Sequence, residues 1–323
     1  MVFAHSAFRY ETDATYVSAL APFLRDGLAR EQLVAVAAPP ARADLLRDAL
    51  GADAAGVRFL PADEWYDRPM HAIAAWARLL RRSAARGGPA ARIVGHTPWT
   101  GPVAGWGRYE AALNRSLAGF DSHLLCAYDV RTTPAAVLGT VDRTHPRVLD
   151  RGWRESTTFG PEAVLAELAD PPWPVTGEPV LTLPVTEMVA ELRTLVRERC
   201  RAGAWLPPAR AESLVLALSE LATNGVRHGG PRRELRIWVL PDAVVGEVSD
   251  DGPVAPEPIC GYLPPAPGVS GGMGLWLIHQ LCDGLTLDRR DGITRARFVL
   301  LREPGATATP APRASAADHV PSR

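Results

Sequence analysis

The chain has 323 residues with 35 Lys+Arg and 36 Asp+Glu, a formal net charge of -1, and it contains no lysine, so all 35 of those basic residues are arginine. That excludes a Walker A P-loop, whose Lys must reach the phosphates, a eukaryotic-type protein kinase with its strand-borne Lys, and a Schiff-base enzyme that needs an amine nucleophile. A near-zero net charge gives no support for direct nucleic-acid or anionic-membrane binding, and no apolar run approaches the ~18 residues of a membrane helix.

The opening MVFAHSAFRYETD lacks the basic and apolar regions of a signal peptide. Four scattered cysteines, Cys126, Cys200, Cys260 and Cys282, contain no C-x-x-C, which fits reduced thiols in a cytoplasmic protein. Each reads as a small buried hydrophobe. At ~150 residues per domain, the length predicts two domains.

In chain order, short apolar runs at Leu33–Ala37, Val57–Leu60, Arg92–Gly95 and His123–Tyr128 predict strands. Between them, Ala41–Leu50 and Met70–Arg82 have helical spacing, with Ile73, Trp76, Ala77 and Leu80 on one face. Strands alternating with helices predict an α/β domain on a parallel sheet. The run Asp170-Pro171-Pro172-Trp173-Pro174 can continue neither a helix nor a central strand. The expected domains are therefore 1–170, a proline-rich linker 171–179, a second domain 180–302 and a Pro/Ala/Thr/Ser tail 303–323 expected to be disordered. The second domain reads as strand Val180–Leu183 and helices near Thr186–Ala202 and Pro208–Arg227. Strands Leu235–Leu240 and Val244–Ser249 follow, then a Pro/Gly-rich loop Pro253–Ser270 and a helix from Gly272 to about Cys282. Strands Leu285–Arg289 and Thr294–Leu301 complete it. Helices on one face of a mostly antiparallel sheet describe an α+β sandwich.

Three pieces of this second half carry chemistry. Glu220 and Asn224 are four apart on the long helix, away from the face of Leu214, Leu218 and Leu221. A carboxylate can accept a proton from an attacking hydroxyl, and an amide carbonyl is a hard ligand for Mg²⁺; alone the pair also reads as a solvated polar face. Asp250-Asp251-Gly252 ends a strand: an acid there can accept a hydrogen bond from an exocyclic amine and the Gly permits close backbone approach, or the segment is a polar turn. Gly271-Gly272-Met273-Gly274-Leu275 enters a helix, where free N–H groups and the helix dipole suit phosphate.

The series E-x-x-x-N helix, two strands, D-x-G, loop, G-x-G at a helix start and Gly292-Ile293-Thr294 into a strand resembles the GHKL, or Bergerat-fold, ATPases. Within them it looks like the bacterial anti-sigma-factor serine kinases. The resemblance covers about Val180 to Leu301, and ELATNGVRHGG is its most specific part. It implies a site for ATP and Mg²⁺, with Glu220 as general base and Asn224 as the Mg²⁺ ligand. Asp250 and Gly252 would bind adenine with Thr294 beside them, and Gly272, Gly274 and Leu275 would bind phosphate. Arg227 is either a phosphate contact or a helix C-terminal cation. Val254 and Met273 depart from the family's glycine boxes, which often carry a second glycine and a basic residue there.

The resemblance implies transfer of a phosphoryl group to a serine of an antagonist protein of the STAS type, which competes with a sigma factor. Glu220 stands where related histidine kinases usually carry Asn, and none of the eight histidines has a phosphoacceptor setting. A non-catalytic, ATP-gated binding protein and an orphan histidine kinase are the alternatives. Dimerisation is common in the resembled family; no exposed apolar stripe in the sequence establishes it.

The first half has its own resemblance. HSAFRYETDATYVSALAPFLRDGLAR, Tyr109–Asn114, Leu125–Asp129 and His145-Pro146 look like the MEDS, or DcmR-like, sensory domain, which is similar to RecA-like α/β folds. Without lysine its role is expected to be sensory. The implied ligand candidates are His5, Tyr10, Glu110 and His145; each also reads as an ordinary core tyrosine, helix-surface glutamate or capping histidine.

Overall fold

The computed structural model describes residues 3–88, 90–97, 103–168, 172–253, 256–265 and 272–303. Val254, Gly271, residues 266–270 of the proline-rich loop and the tail from 304 onward lie outside the described residues. Contacts divide the chain into two compact units, Met1–Asp170 with Glu257–Gln280, and Pro171–Pro256 with Leu281–Arg323.

The first unit runs β1 (Ala4–Tyr10), α1 (Asp13–Ala29), β2 (Leu33–Ala38), α2 (Pro40–Leu50), β3 (Arg58–Pro61), α3 (Ala62–Trp65), α4 (Pro69–Ala85) and β4 (Ala91–Gly95). It continues through α5 (Val103–Ser116), β5 (Ser122–Asp129), α6 (Ala135–Thr144), β6 (Arg147–Leu149), β7 (Trp153–Glu155) and α7 (Pro161–Glu167). The strands form one sheet in the order β3-β2-β4-β5-β1-β6-β7. The parallel pairing expected from sequence holds from β3 to β6. It fails at β7, which is antiparallel to β6: only three residues separate these two strands, while parallel neighbours need a crossover.

The apolar runs arise because both faces of this sheet are buried. Val34 and Val36 of β2 and Leu125 and Ala127 of β5 pack with Leu20 and Leu24 of α1 and Leu46 and Leu50 of α2. Their alternate neighbours Ala35, Ala37, Leu124 and Cys126 face Trp76, Trp106 and Tyr109 of α4 and α5. Small strand residues thus admit large helix aromatics, and the Trp76 indole N–H donates to the Tyr109 hydroxyl at 2.9 Å.

The second unit runs β8 (Leu181–Pro184), α8 (Val189–Ala202), α9 (Pro208–His228), β9 (Arg233–Val239) and β10 (Ala243–Asp250). After α10 (Met273–Leu281), which up to Gln280 groups with the first unit, come β11 (Gly284–Arg290) and β12 (Ile293–Leu301). Its strands form a wholly antiparallel sheet ordered β11-β12-β10-β9-β8. Pro208 opens α9 at its first turn, where a missing N–H costs nothing.

Alternation along β10 divides its side chains between two faces. Gly246 lies beneath α9: a Cβ there would meet the Phe298 ring at 2.5 Å and the Leu218 side chain at 3.0 Å. On the other face, Ala243, Val245, Trp238, Val299 and Leu301 form a small core covered by Trp173 and Val175 from the proline-rich segment. Glu247 is buried opposite Arg297. The Arg297 guanidinium donates to Glu247 at 2.7 Å and to the Trp173 carbonyl at 2.9 Å.

The segment Glu257–Gln280 groups with the first unit. There Tyr262 enters the aromatic core. Arg108 of α5 donates to the Leu165 carbonyl, the Pro258 carbonyl and the Tyr262 hydroxyl at 2.8, 3.0 and 2.8 Å.

Gly246→Val would force the added side chain into Phe298 and Leu218. The expected cost is about 1–3 kcal/mol, a melting temperature lower by roughly 3–10 °C. Gly119→Ala, placed where an added Cβ meets nothing within 4 Å, should leave the melt unchanged. Equal melts for the two variants would contradict the packing of α9 on β10.

Candidate functional site

Of the residues expected to form the site in the second half, those on α9 and at the ends of β10 and β12 lie in the second unit, and those at the entry to α10 lie in the segment that groups with the first. On α9, Glu220 and Asn224 are half-buried and Arg227 is exposed. At i, i+4 and i+7 the three share one stripe, opposite the buried Leu214, Leu218, Leu221 and Gly225. None of the three takes or gives a hydrogen bond among the described contacts. Their neighbours Ser219 and Thr223 instead bond back to carbonyls one turn earlier, at 2.6 and 2.7 Å. The stripe therefore presents a carboxylate, an amide and a guanidinium whose hydrogen-bonding capacity is unspent.

Asp250 ends β10 on the same sheet face as Gly246, two and four residues apart from Val248 and Gly246. Its Oδ1 accepts from the Gly252 N–H at 2.8 Å and the Gly230 N–H at 3.4 Å, which folds the turn after β10 against the glycines that end α9. A Cβ at Gly252 would lie 2.8 Å from both Asp250 Oδ1 and the Gly230 nitrogen, so only glycine permits this approach. Oδ2 of Asp250 takes no bond from a described residue. Thr294 is the direct cross-strand partner of Asp250, and Arg289 is the partner of Thr294. Arg289 donates to the Thr294 hydroxyl at 2.8 Å and to the Gly252 carbonyl. Asp250, Gly252 and Thr294, expected together from sequence, are thus brought together.

Arg289 is a residue that sequence reasoning missed. It lies outside the motif boxes, and only the register of β11 on β12 reveals its place. Gly272 has φ of 77° and leads into α10, where Gly274 is buried. Gly272, Gly274 and Leu275 lie in the segment that groups with the first unit. Met273 is 47% exposed.

Taken by themselves, the second unit's residues fit a purine base and a divalent cation, and the entry to α10 fits an anion. The remaining Asp250 oxygen can accept from an exocyclic amine, the Asn224 carbonyl is a hard oxygen ligand, and the entry to α10 offers backbone N–H groups to an anion.

In the first unit, three of the four expected ligand residues converge. His5, Glu110 and His145 are buried together with Cys126. Glu110, which also read as a helix-surface residue, is 2% exposed, because α5 turns it towards the sheet. Cys126, read from sequence as an inert hydrophobe, lies 3.4 Å from both Glu110 and His5. Nothing in its sequence setting separates it from the buried Cys200 or Cys282. Tyr10 lies elsewhere, on the α1–α2 face, with its hydroxyl 2.7 Å from His96 Nε2.

Among the described residues no helix is long and apolar enough to cross a membrane. No curated protein matches the chain. Among solved structures, it is similar to the RsbU and RsbW domains of Rv1364c from Mycobacterium tuberculosis, at 19% identity over 40% of this chain and 34% of that chain, with a TM-score of 0.28. It thus spans about a third of that protein's length. It is also similar to the catalytic domain of histidine kinase ThkA, at 15% identity over 38% and 96% of the two chains with a TM-score of 0.25. A third likeness is to the histidine kinase domain of the E. coli osmosensor EnvZ, at 17% identity over 46% and 100% with a TM-score of 0.23. Residues 4–146 match the family model for MEDS, the methanogen/methylotroph DcmR sensory domain, and residues 184–300 match that for the histidine kinase-like ATPase domain. The chain joins a MEDS sensory domain to a histidine kinase-like ATPase domain.

Proposed function

We propose that the chain is an anti-sigma regulatory factor with protein-serine kinase activity, acting in the cytoplasm under the control of its sensory domain. Its ATPase domain would move the γ-phosphoryl group of ATP to a serine of a STAS-type antagonist protein, and the antagonist's phosphorylation state would set its competition with a sigma factor. The observation that carries this reading is Glu220, a half-buried carboxylate one turn before Asn224 on α9, hydrogen-bonded to no described residue.

A serine hydroxyl is a weak nucleophile at neutral pH and gains from an adjacent base. Glu220 would take the hydroxyl proton as the serine oxygen bonds to phosphorus, while the bond from the γ-phosphorus to the bridging oxygen breaks and ADP leaves with the electron pair. Mg²⁺, when bound with ATP, neutralises charge on the phosphates, and the Asn224 carbonyl is the group suited to hold it. Asp250, Gly252 and Thr294 would orient the adenine, and Arg289 would hold Thr294 and the Gly252 carbonyl in place. Gly272, Gly274 and Leu275 would face the phosphates with backbone amides, and Arg227 would add a cation. Catalysis of this kind rests on positioning and charge stabilisation, so a chain without lysine can carry it.

Two measurements test the reading. Full-length protein incubated with Mg-ATP and its co-purified partner should yield phosphoserine on that partner. Glu220→Gln should lower transfer by about 100-fold or more while ATP affinity stays within about threefold. Partner binding that responds to ATP, with no transfer and no effect of Glu220→Gln, would instead establish a non-catalytic ATP-gated binder. Acid-labile phosphate on histidine would establish a histidine kinase.

The second measurement separates the two ends of the nucleotide. Asp250→Asn and Arg289→Ala should weaken binding of ADP and of adenosine alike, by about tenfold or more for Asp250→Asn. Asn224→Ala should weaken ATP only when Mg²⁺ is present. Calorimetry showing adenosine binding unchanged in Asp250→Asn would remove the adenine role.

A further inference from the structure

The sensory domain buries a set of chemistry-bearing side chains that the kinase reading leaves without a task. His5 comes from β1, Glu110 from α5, Cys126 from β5 and His145 from the C-terminal end of α6. In the parallel pair β1–β5, Cys126 is the partner of Ala7, so the pleat turns His5, Ala7 and Cys126 to the same face, the one covered by α5. All four side chains are buried, and one donor atom from each lies within 4.8 Å of all the others.

The spacing has a chemical meaning. His5 Nε2 is 3.3 Å from Glu110 Oε2 and 3.4 Å from Cys126 Sγ. Cys126 Sγ is 3.4 Å from Glu110 Oε2, and His145 Nε2 is 3.5 Å from the same oxygen. Four bonds of about 2.0–2.3 Å directed to the corners of a tetrahedron separate neighbouring donors by about 3.3–3.6 Å. We propose that His5, Glu110, Cys126 and His145 form a tetrahedral site for a zinc-class divalent cation.

The surrounding hydrogen bonds orient the donors inward. The Asn114 amide nitrogen donates to the carbonyls of Glu110, Ala111 and Thr144 at 3.2, 3.2 and 2.9 Å. That turns its oxygen to His5 Nδ1 at 3.2 Å, so Nδ1 carries the proton and Nε2 presents a lone pair. His145 Nδ1 lies 3.0 Å from the Val141 carbonyl and 2.9 Å from the Thr144 hydroxyl, whose own proton goes to the Thr140 carbonyl at 3.0 Å, so both neighbours accept and His145 is held in the same tautomer. This is how second-layer partners prepare imidazoles for a metal. Without a cation, Glu110 Oε2 accepts from the Cys126 thiol with both Nε2 atoms beside it, the Tyr128 hydroxyl lies 3.4 Å from His145 Nε2, and Glu110 Oε1 takes no hydrogen bond from a described residue.

A cation would enter by displacing the Cys126 thiol proton, because the thiolate is the ligand form. One carboxylate and one thiolate then balance a dipositive charge, which a buried site requires. Two imidazoles and a thiolate favour zinc or cobalt over the oxygen-seeking Mg²⁺ or Ca²⁺. With four protein donors the site is closed, and the ion would fasten β1, β5, α5 and α6 to one another.

The test uses the full chain and the metal alone. Elemental analysis of protein purified without chelator should find about one zinc-class ion per chain. After stripping, Co²⁺ should restore one equivalent, with the intense ligand-field bands of a tetrahedral ion and a thiolate-to-cobalt charge-transfer band. Cys126→Ser should lose that band, and Cys126→Ser and His145→Gln should each bind Co²⁺ at least about tenfold more weakly. If either variant fails to fold, the spectrum of the unaltered protein decides: the charge-transfer band with tetrahedral intensity supports the site, and its absence refutes it. Failure of the stripped chain to take up zinc or cobalt, or unaltered affinity in a folded Cys126→Ser, also refutes it. None of these outcomes depends on whether the ATPase domain transfers phosphate.

Discussion

The antiparallel register of β10, β12 and β11 is the constraint on which the ATPase domain depends. It sets Gly246 under α9 beside Phe298, so the helix can approach the sheet, and it sets Glu247 against Arg297 on the opposite face. Carried to the strand ends, the same register places Thr294 opposite Asp250 and Arg289 opposite Thr294. A slip of one residue would turn each of these side chains to the other face. It would at once turn Asp250 away from the face of Gly246 and push Glu247 into Phe298 and Leu218. Packing and site are therefore fixed by one set of hydrogen bonds, and the core cannot be repacked without moving the groups that would hold the nucleotide.

Most of this was legible in the sequence because the elements carry strong periodic signals. The apolar runs of β2, β4 and β5 and the leucine face of α9 mark themselves, and Pro208 and Gly229 bracket α9. Asp250, Gly252 and Thr294 could be grouped before the fold was known because the order of motifs, more than any single motif, is distinctive. What stayed hidden depends on register and on tertiary burial. Arg289 belongs to the site only because β11 pairs residue for residue with β12. Glu110 reads as one more polar residue of a helix until α5 is laid on the sheet, and Cys126 acquires polar neighbours only when β1 and β5 pair. Tyr10 went the other way. It is in the same strand as His5, but an odd number of residues away, and alternation sends it to the opposite face.

The absence of lysine is met by arginine used as a fork and not as a point charge. Arg108 spans two carbonyls and a hydroxyl. Arg210 of α9 reaches the Leu281 and Leu301 carbonyls and Asp283. Arg297 joins a carboxylate to the Trp173 carbonyl. Each is a multi-donor tie between separate stretches of chain that a single ammonium could not reproduce.

The cover that Trp173 and Val175 lay over the outer face of the second sheet changes what counts as the edge of the ATPase domain. The match to the ATPase family model begins at residue 184, after this cover has already been laid down. A fragment cut at that point would leave Trp238, Val245 and Val299 facing water and strip the Arg297 guanidinium of its Trp173 carbonyl. The matched span and the foldable unit are thus offset by about one short segment. Trp173 and Val175, upstream of the matched span, therefore belong to the folded unit, because they are its roof.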